Sequence, residues 1–154
     1  MAAVHKITED FYEDSFTLIA VHSSLEDYAL VYAVNLGIKS LFKRALKDLE
    51  ISEHMSFPFF EWQDDINDRY WTLITNTSIK KESLAGRDLF QDEPSFTRHY
   101  LVSEHKEVDY FIKIEHDDDL NDAALVKELL SIPKMITAYT VNADKLKSKN
   151  NLIF

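Results

Sequence analysis

The chain has 154 residues, a formal net charge of −10 at pH 7 and a 45% hydrophobic content, which suits one domain, 1–154, with a buried core. Its two glycines, Gly37 and Gly86, provide no glycine-rich loop to cradle phosphates, so nucleotide binding by those motifs is excluded. The absence of cysteine removes disulfides, thiolate zinc sites and cysteine nucleophiles together, and fits a reducing compartment.

The opening stretch, MAAVHKITEDFYED, lacks the basic start and apolar centre of a signal peptide, and no apolar run is long enough to span a bilayer. A soluble cytoplasmic protein with no membrane partner is expected. From Ser15 to Val21 the chain is rich in β-formers and reads as a strand. Ser23 and Glu26 then have capping-box spacing and open a helix on which Leu25, Tyr28 or Ala29, Tyr32 or Ala33, and Leu36 recur at helical intervals. Gly37 stands where a helix end takes a left-handed residue. Residues 38–51 carry a helical stripe (Leu41, Phe42, Ala45, Leu46, Leu49), although Phe42, Arg44 and Leu46 also fit one face of an edge strand.

Two aromatic and β-branched runs, Phe57 to Trp62 and Arg69 to Asn76, flank the turn-forming QDDIND and predict an antiparallel hairpin, with Pro58 at a strand end. Six rings (Phe57, Phe59, Phe60, Trp62, Tyr70, Trp71) exceed what one buried face holds. An exposed aromatic face including Phe57, Phe59, Trp62 and Trp71 is therefore expected as a partner surface, covered by a second copy in a homodimer, by another protein, or by Leu84, Leu89 and Phe90. Residues 77–96 show no clear period and read as a long loop.

TRHYLVS and EVDYFIKI form a further strand pair across a three-residue turn at His105, Lys106 and Glu107, which sets Val102 opposite Tyr110. Alternation places Val108, Tyr110, Ile112 and Ile114 on the core face, and Asp109, Phe111, Lys113 and Glu115 on the other. A helix with acidic residues at its start (DDDLNDAALVKELLS) and a final strand (PKMITAYTVN) complete the chain. The sum is an α+β domain, a mainly antiparallel sheet with two or three helices packed on one face.

Candidate chemistry is sparse. Glu104 and Asp109 could act as a carboxylate pair in a small hydrolase or ligand-binding domain, but a hairpin end with Asp109 accepting backbone or Ser103 hydrogen bonds accounts for them with fewer assumptions. His99, His105 and His116 lack metal-ligand spacing, so neither metal nor cofactor is expected. The acidic runs DDIND and HDDDLND lack the glycine and distal glutamate of a calcium loop. Ser23 and Ser24 after His22 lack the glycines of a nucleophile elbow. The basic clusters (Lys39, Lys43, Arg44 and Lys47; Lys145, Lys147 and Lys149) sit beside acidic residues and have no stacking aromatics, which argues against nucleic acid.

The run from Val102 to Tyr110 resembles the motif of the IPExxxVDY family, small proteins found in Bacteroidetes. Glu104, Val108, Asp109 and Tyr110 match at the family spacing, while Val102 and Ser103 stand in place of its isoleucine and proline. No activity, cofactor or catalytic residue is assigned to that family, so the resemblance implies no chemistry. The expectation carried forward is a non-enzymatic interaction or assembly module.

Overall fold

In the computed structural model, which describes residues 16–53, 55–82 and 95–154, the α+β expectation holds. The elements run β1 (Phe16–Ser23), α1 (Asp27–Ile38), β2 (Lys43–Arg44), β3 (Leu49–Ser52), β4 (Met55–Phe57), β5 (Phe59–Asp64), β6 (Arg69–Thr75), β7 (Thr77–Glu82) and β8 (Ser95–Tyr100). After a 3₁₀ turn at Ser103–His105 come β9 (Tyr110–Glu115), α2 (Asp122–Leu130), β10 (Met135–Val141) and two more 3₁₀ turns. Six strands form one antiparallel sheet in the order β10-β1-β9-β6-β5-β2, and β3-β4 and β7-β8 are separate ribbons.

Both faces of the sheet are buried. On one, Ile19, Val21, Leu73, Ile112 and Ile114 meet Leu30 and Val34 of α1 and Leu125 and Leu129 of α2. On the other, Leu18, Ala20, Ile74 and Phe111 meet Phe57, Leu101, Val102, Val108 and Leu152. This double burial corrects the alternation expected for β9. Tyr110, Ile112 and Ile114 do face the helices, but Phe111 fills the second core, and Val108, ahead of the strand, belongs to that second core too.

The expected hairpin is present as β5–β6, though Phe57 falls in β4 opposite Leu49, β5 runs on to Asp64, and the register sets Trp62 opposite Trp71; α2 and β10 lie where local signals put them. Asn121 caps α2 by accepting from the Ala124 N–H at 3.0 Å, and Asp122 adds charge at the favourable end of the dipole.

Four expectations change. Ser23 is the last residue of β1 and does not cap α1. Its hydroxyl accepts from the Leu25 N–H (3.2 Å) and donates to the Lys134 carbonyl (3.1 Å), and the helix starts beyond it at Asp27. The left-handed residue that ends α1 is Lys39 (φ 56°), whereas Gly37 lies inside the helix, where a Cβ would come within 2.5 Å of Ile132 Cγ1. Ile38 is the last residue of α1, and the rest of the 38–51 stretch, from Lys39 on, is not helical. The Asn35 carboxamide accepts from the Phe42 N–H (3.0 Å) and the Ser40 hydroxyl (2.7 Å) and donates to the Phe42 carbonyl (3.1 Å), and these bonds hold the chain in a turn that leads into edge strand β2. The hairpin joining 97–103 to 107–114 does not form, because β8 pairs with β7 while β9 is hydrogen-bonded on both sides, to β1 and β6.

In the stretch read as a loop, Thr77–Glu82 is strand β7, and Leu84, Leu89 and Phe90 lie outside the described residues.

Candidate functional site

The residues that resemble the family motif serve as anchors. Asp109 Oδ2 accepts from the Ser23 N–H at 2.9 Å, and the Tyr110 hydroxyl donates to the Leu25 carbonyl at 2.6 Å, so two adjacent residues clamp the link between β1 and α1. Burial, helped by the nearby carboxylates of Asp27, Asp109 and Glu26, pushes the Tyr110 phenol up to about 12. Glu104 has other partners. It accepts from the Ser148 N–H (3.0 Å), the Ser148 hydroxyl and the Ser103 hydroxyl (3.1 Å), and these bonds, led by the Ser148 hydroxyl, draw its carboxyl down to about 2. Glu104 and Asp109 are thus engaged by different elements and do not form the alternative carboxylate pair; Asp109 does accept a backbone N–H, from Ser23, whereas the Ser103 hydroxyl donates to Glu104. Glu104 is also far better partnered than a free turn tip.

The hub of this region is Asn76, the residue between β6 and β7. Fully buried, it donates from Nδ2 to the carbonyls of His105 (2.8 Å) and Val108 (2.9 Å), and accepts at Oδ1 from the Val102 N–H (2.9 Å). Its backbone bonds Asp109 and Leu101 as well. An asparagine closing a β-branched run was the available clue.

The aromatic hairpin is not the expected partner surface. Phe57 and Trp71 are core residues, and Phe59 and Trp62 are half-buried against the two opposite cores. With both faces covered, the rings divide between two interiors.

The histidines do not converge. His105 pairs with Glu107 (3.2 Å), and His116 bonds the Thr17 hydroxyl (2.8 Å) and the Asp118 carbonyl (2.7 Å). His22 bonds the Tyr139 hydroxyl at 3.0 Å and not Ser23, so no Ser–His dyad arises. No group of metal-ligating side chains occurs among the described residues. The acidic runs have structural partners: Asp64 accepts from Asn67 in the hairpin turn, and Asp118 forms an ion pair with Arg69 at 2.7 Å.

An exposed apolar stripe lies on α1. Leu30, Val31 and Val34 are its buried side, while Tyr28, Tyr32 and Leu36, spaced four apart, are 66%, 69% and 67% exposed. From Tyr28 to Ile38 the helix carries no charged residue. Alongside the stripe runs a groove of about 430 Å³ lined by Leu25, Ala29, Ala33, Ile132 and Pro133. Charge is confined to the two ends, with Glu26 and Asp27 before the stripe and Lys39 after it.

No helix among the described residues is long and apolar enough to cross a membrane. Comparison with protein-family models, curated proteins and solved structures finds no match to this chain.

Proposed function

We propose that the protein is a non-enzymatic assembly module that pairs with a second copy through α1. The observation that carries this reading is the uncharged outer face of a helix whose inner face is already buried. Surface helices of monomers normally carry charge on their outer face. Tyr28, Tyr32 and Leu36 span about 12 Å of the axis at 1.5 Å per residue. An antiparallel pairing with the two-fold axis near Tyr32 would set Tyr28 against Leu36 of the copy and bring Asp27 toward the copy's Lys39. The stripe is therefore self-complementary in shape and charge.

Asp109 and Tyr110 support the reading by fixing where α1 leaves β1. The carboxylates considered for catalysis are engaged in backbone and hydroxyl bonds, which favours assembly over hydrolysis. A cysteine-free chain of this charge fits the cytoplasm.

Pairing of two short helices buries an area at the low end for protein interfaces, so affinity in about the micromolar range is expected. Sedimentation equilibrium and light scattering, from about 1 to 500 μM to bracket that affinity, should show a monomer–dimer equilibrium. The dimer should persist or tighten as salt screens the repulsion between two chains of net charge −10. Tyr32→Lys should yield a folded monomer, and Ile66→Lys, at an exposed turn, should leave the equilibrium intact. A monomer under all conditions, or a dimer indifferent to Tyr32→Lys, overturns the proposal.

A further inference from the structure

At the end of the sheet farthest from the motif, the face opposite the helices changes from apolar to polar. Lys113 on β9 stands directly across from Thr72 on β6, and the next row sets Tyr70 across from Glu115, with Phe16 of β1 beyond it. Lys113, Tyr70, Glu115 and Phe16 of these rows form one side of an open cleft of about 500 Å³, and Ile153 and Phe154 form another. That volume lies within the range of small-molecule sites.

Lys113 is the unusual member. It is only 3% exposed, and burial lowers the pKa of its ammonium despite the opposing pull of Glu115. Among the described residues its nitrogen has neither a hydrogen bond nor an ion pair. It lies instead 4.3 Å from the centre of the Phe154 ring and 5.0 Å from that of Phe16. Cation–π contact offsets part of the cost of burying the charge, but three N–H donors remain without an acceptor. Thr72 Oγ1 beside it is also buried without a partner among the described residues. The other cation at the cleft, Arg69, is committed to Asp118 through Nε (3.2 Å) and Nη2 (2.7 Å), and His116 is held on both ring nitrogens. The Tyr70 hydroxyl donates to Glu61 at 2.5 Å. Lys113 is therefore the cleft's uncommitted donor among the described residues.

We propose that this cleft binds a small organic monocarboxylate with an aromatic or aliphatic body. Its carboxylate accepts from the Lys113 ammonium, and its body packs on the Phe16 and Phe154 rings and Ile153. A single negative charge fits because Glu115 stands beside the lysine and Asp68 and Asp117 stand at the cleft, so a phosphate or dicarboxylate would meet repulsion as well as attraction.

Phenylacetate is a suitable probe, and a ligand of that size binds with a Kd in about the millimolar range. Titration of the isotopically labelled full chain with phenylacetate, followed by amide chemical shifts, should saturate and perturb residues 70, 113 and 115. Inorganic phosphate should produce no saturable change at those residues. Lys113→Met, which keeps the stem and removes a costly buried charge, should stay folded and weaken phenylacetate at least about tenfold. Phe154→Ala, at an exposed position outside every strand, leaves the sheet untouched and should weaken phenylacetate several-fold while leaving the spectrum folded. Should Lys113→Met fail to fold, Phe154→Ala decides alone. The proposal is overturned by the absence of saturable binding at the cleft, by phosphate binding there as tightly as phenylacetate, by undiminished binding in folded Lys113→Met, or, where that variant does not fold, by undiminished binding in Phe154→Ala.

Discussion

Replacing Asn76 tests whether the region that positions α1 hangs on one side chain. The carboxamide makes three hydrogen bonds in a fully buried setting: two donated, to the His105 and Val108 carbonyls, and one accepted, from the Val102 N–H. At about 1 kcal/mol net for each bond, and with buried backbone groups left unpaired, Asn76→Ala should cost about 3 kcal/mol. Asn76→Asp is the sharper perturbation because it is nearly isosteric. It keeps the acceptor for Val102 but points a carboxylate oxygen at two carbonyls in place of an N–H pair. At pH 7 it should cost more than the alanine variant, about 4 kcal/mol. Burial among carbonyls raises the pKa of the new carboxyl in the folded state, so the folded protein favours the protonated form. The deficit relative to wild type should therefore shrink as pH falls. Urea unfolding followed by tryptophan fluorescence is suited to the measurement, since Trp71 is buried and senses loss of the core. A cost below about 1 kcal/mol for Asn76→Ala, or an aspartate variant no worse than alanine at pH 7, would refute the hub.

Two further outcomes follow from single contacts. Glu104 has its carboxyl drawn down to about 2 in the folded chain, below the roughly 4.3 of an unfolded glutamate, so its contribution is present above that unfolded value and is lost as pH falls toward 2. Glu104→Gln should cost about 1 kcal/mol or less at pH 7, the contact being exposed to solvent, and nothing near pH 2, as read from acid-dependent urea midpoints. Gly37→Ala gains about 1 kcal/mol in helix propensity, yet its Cβ would meet Ile132 Cγ1 at 2.5 Å and Cδ1 at 2.7 Å. Overpacking should win, with a net loss of about 1 kcal/mol that disappears or reverses when the same change is made in an Ile132→Ala background. A stabilising Gly37→Ala in the wild-type background would show that Ile132 yields freely.

What could be read from the sequence was local. The β5–β6 hairpin declares itself through two aromatic runs and a turn, and α2 through its acidic start, because in each case the deciding partners lie within a dozen residues. Strand pairing at distance was misread. Nothing in EVDYFIKI says that its neighbours are β1 and β6 in place of TRHYLVS, since all three offer similar apolar faces. Alternation failed in β9 for a related reason: a strand covered on both faces has no solvent side to mark, and even Lys113 is drawn in. In α1 the apolar residues run all round the helix, so periodicity could not say which face was buried. It picked Leu25, Tyr28 or Ala29, Tyr32 or Ala33, and Leu36; of these Leu25 and Ala33 pack against the core that Leu30, Val31 and Val34 fill, while Tyr28, Tyr32 and Leu36 are exposed. The absence of charge from Tyr28 to Ile38 was in plain view and would have flagged the outer face. Asn35, which turns residues 39–42 away from a helix, acts through bonds that composition does not encode.

The placement of β1 between β9 and β10 bears on how the chain is made. The first described strand is flanked on both edges by strands from the C-terminal third, and the His22–Tyr139 contact joins residues 117 positions apart. During synthesis β1 leaves the ribosome with both edges open and an apolar surface on each face. It stays so until residues 110–115, and then 135–141, have been added. Neither core can close before that moment, because both contain residues of β1 and β9. Folding therefore waits on the longest loops and is slow for a domain of this size. For most of translation the FTLIAV segment is a strand in search of any partner, which makes this stretch a target for holding chaperones and the first place from which truncated chains would aggregate.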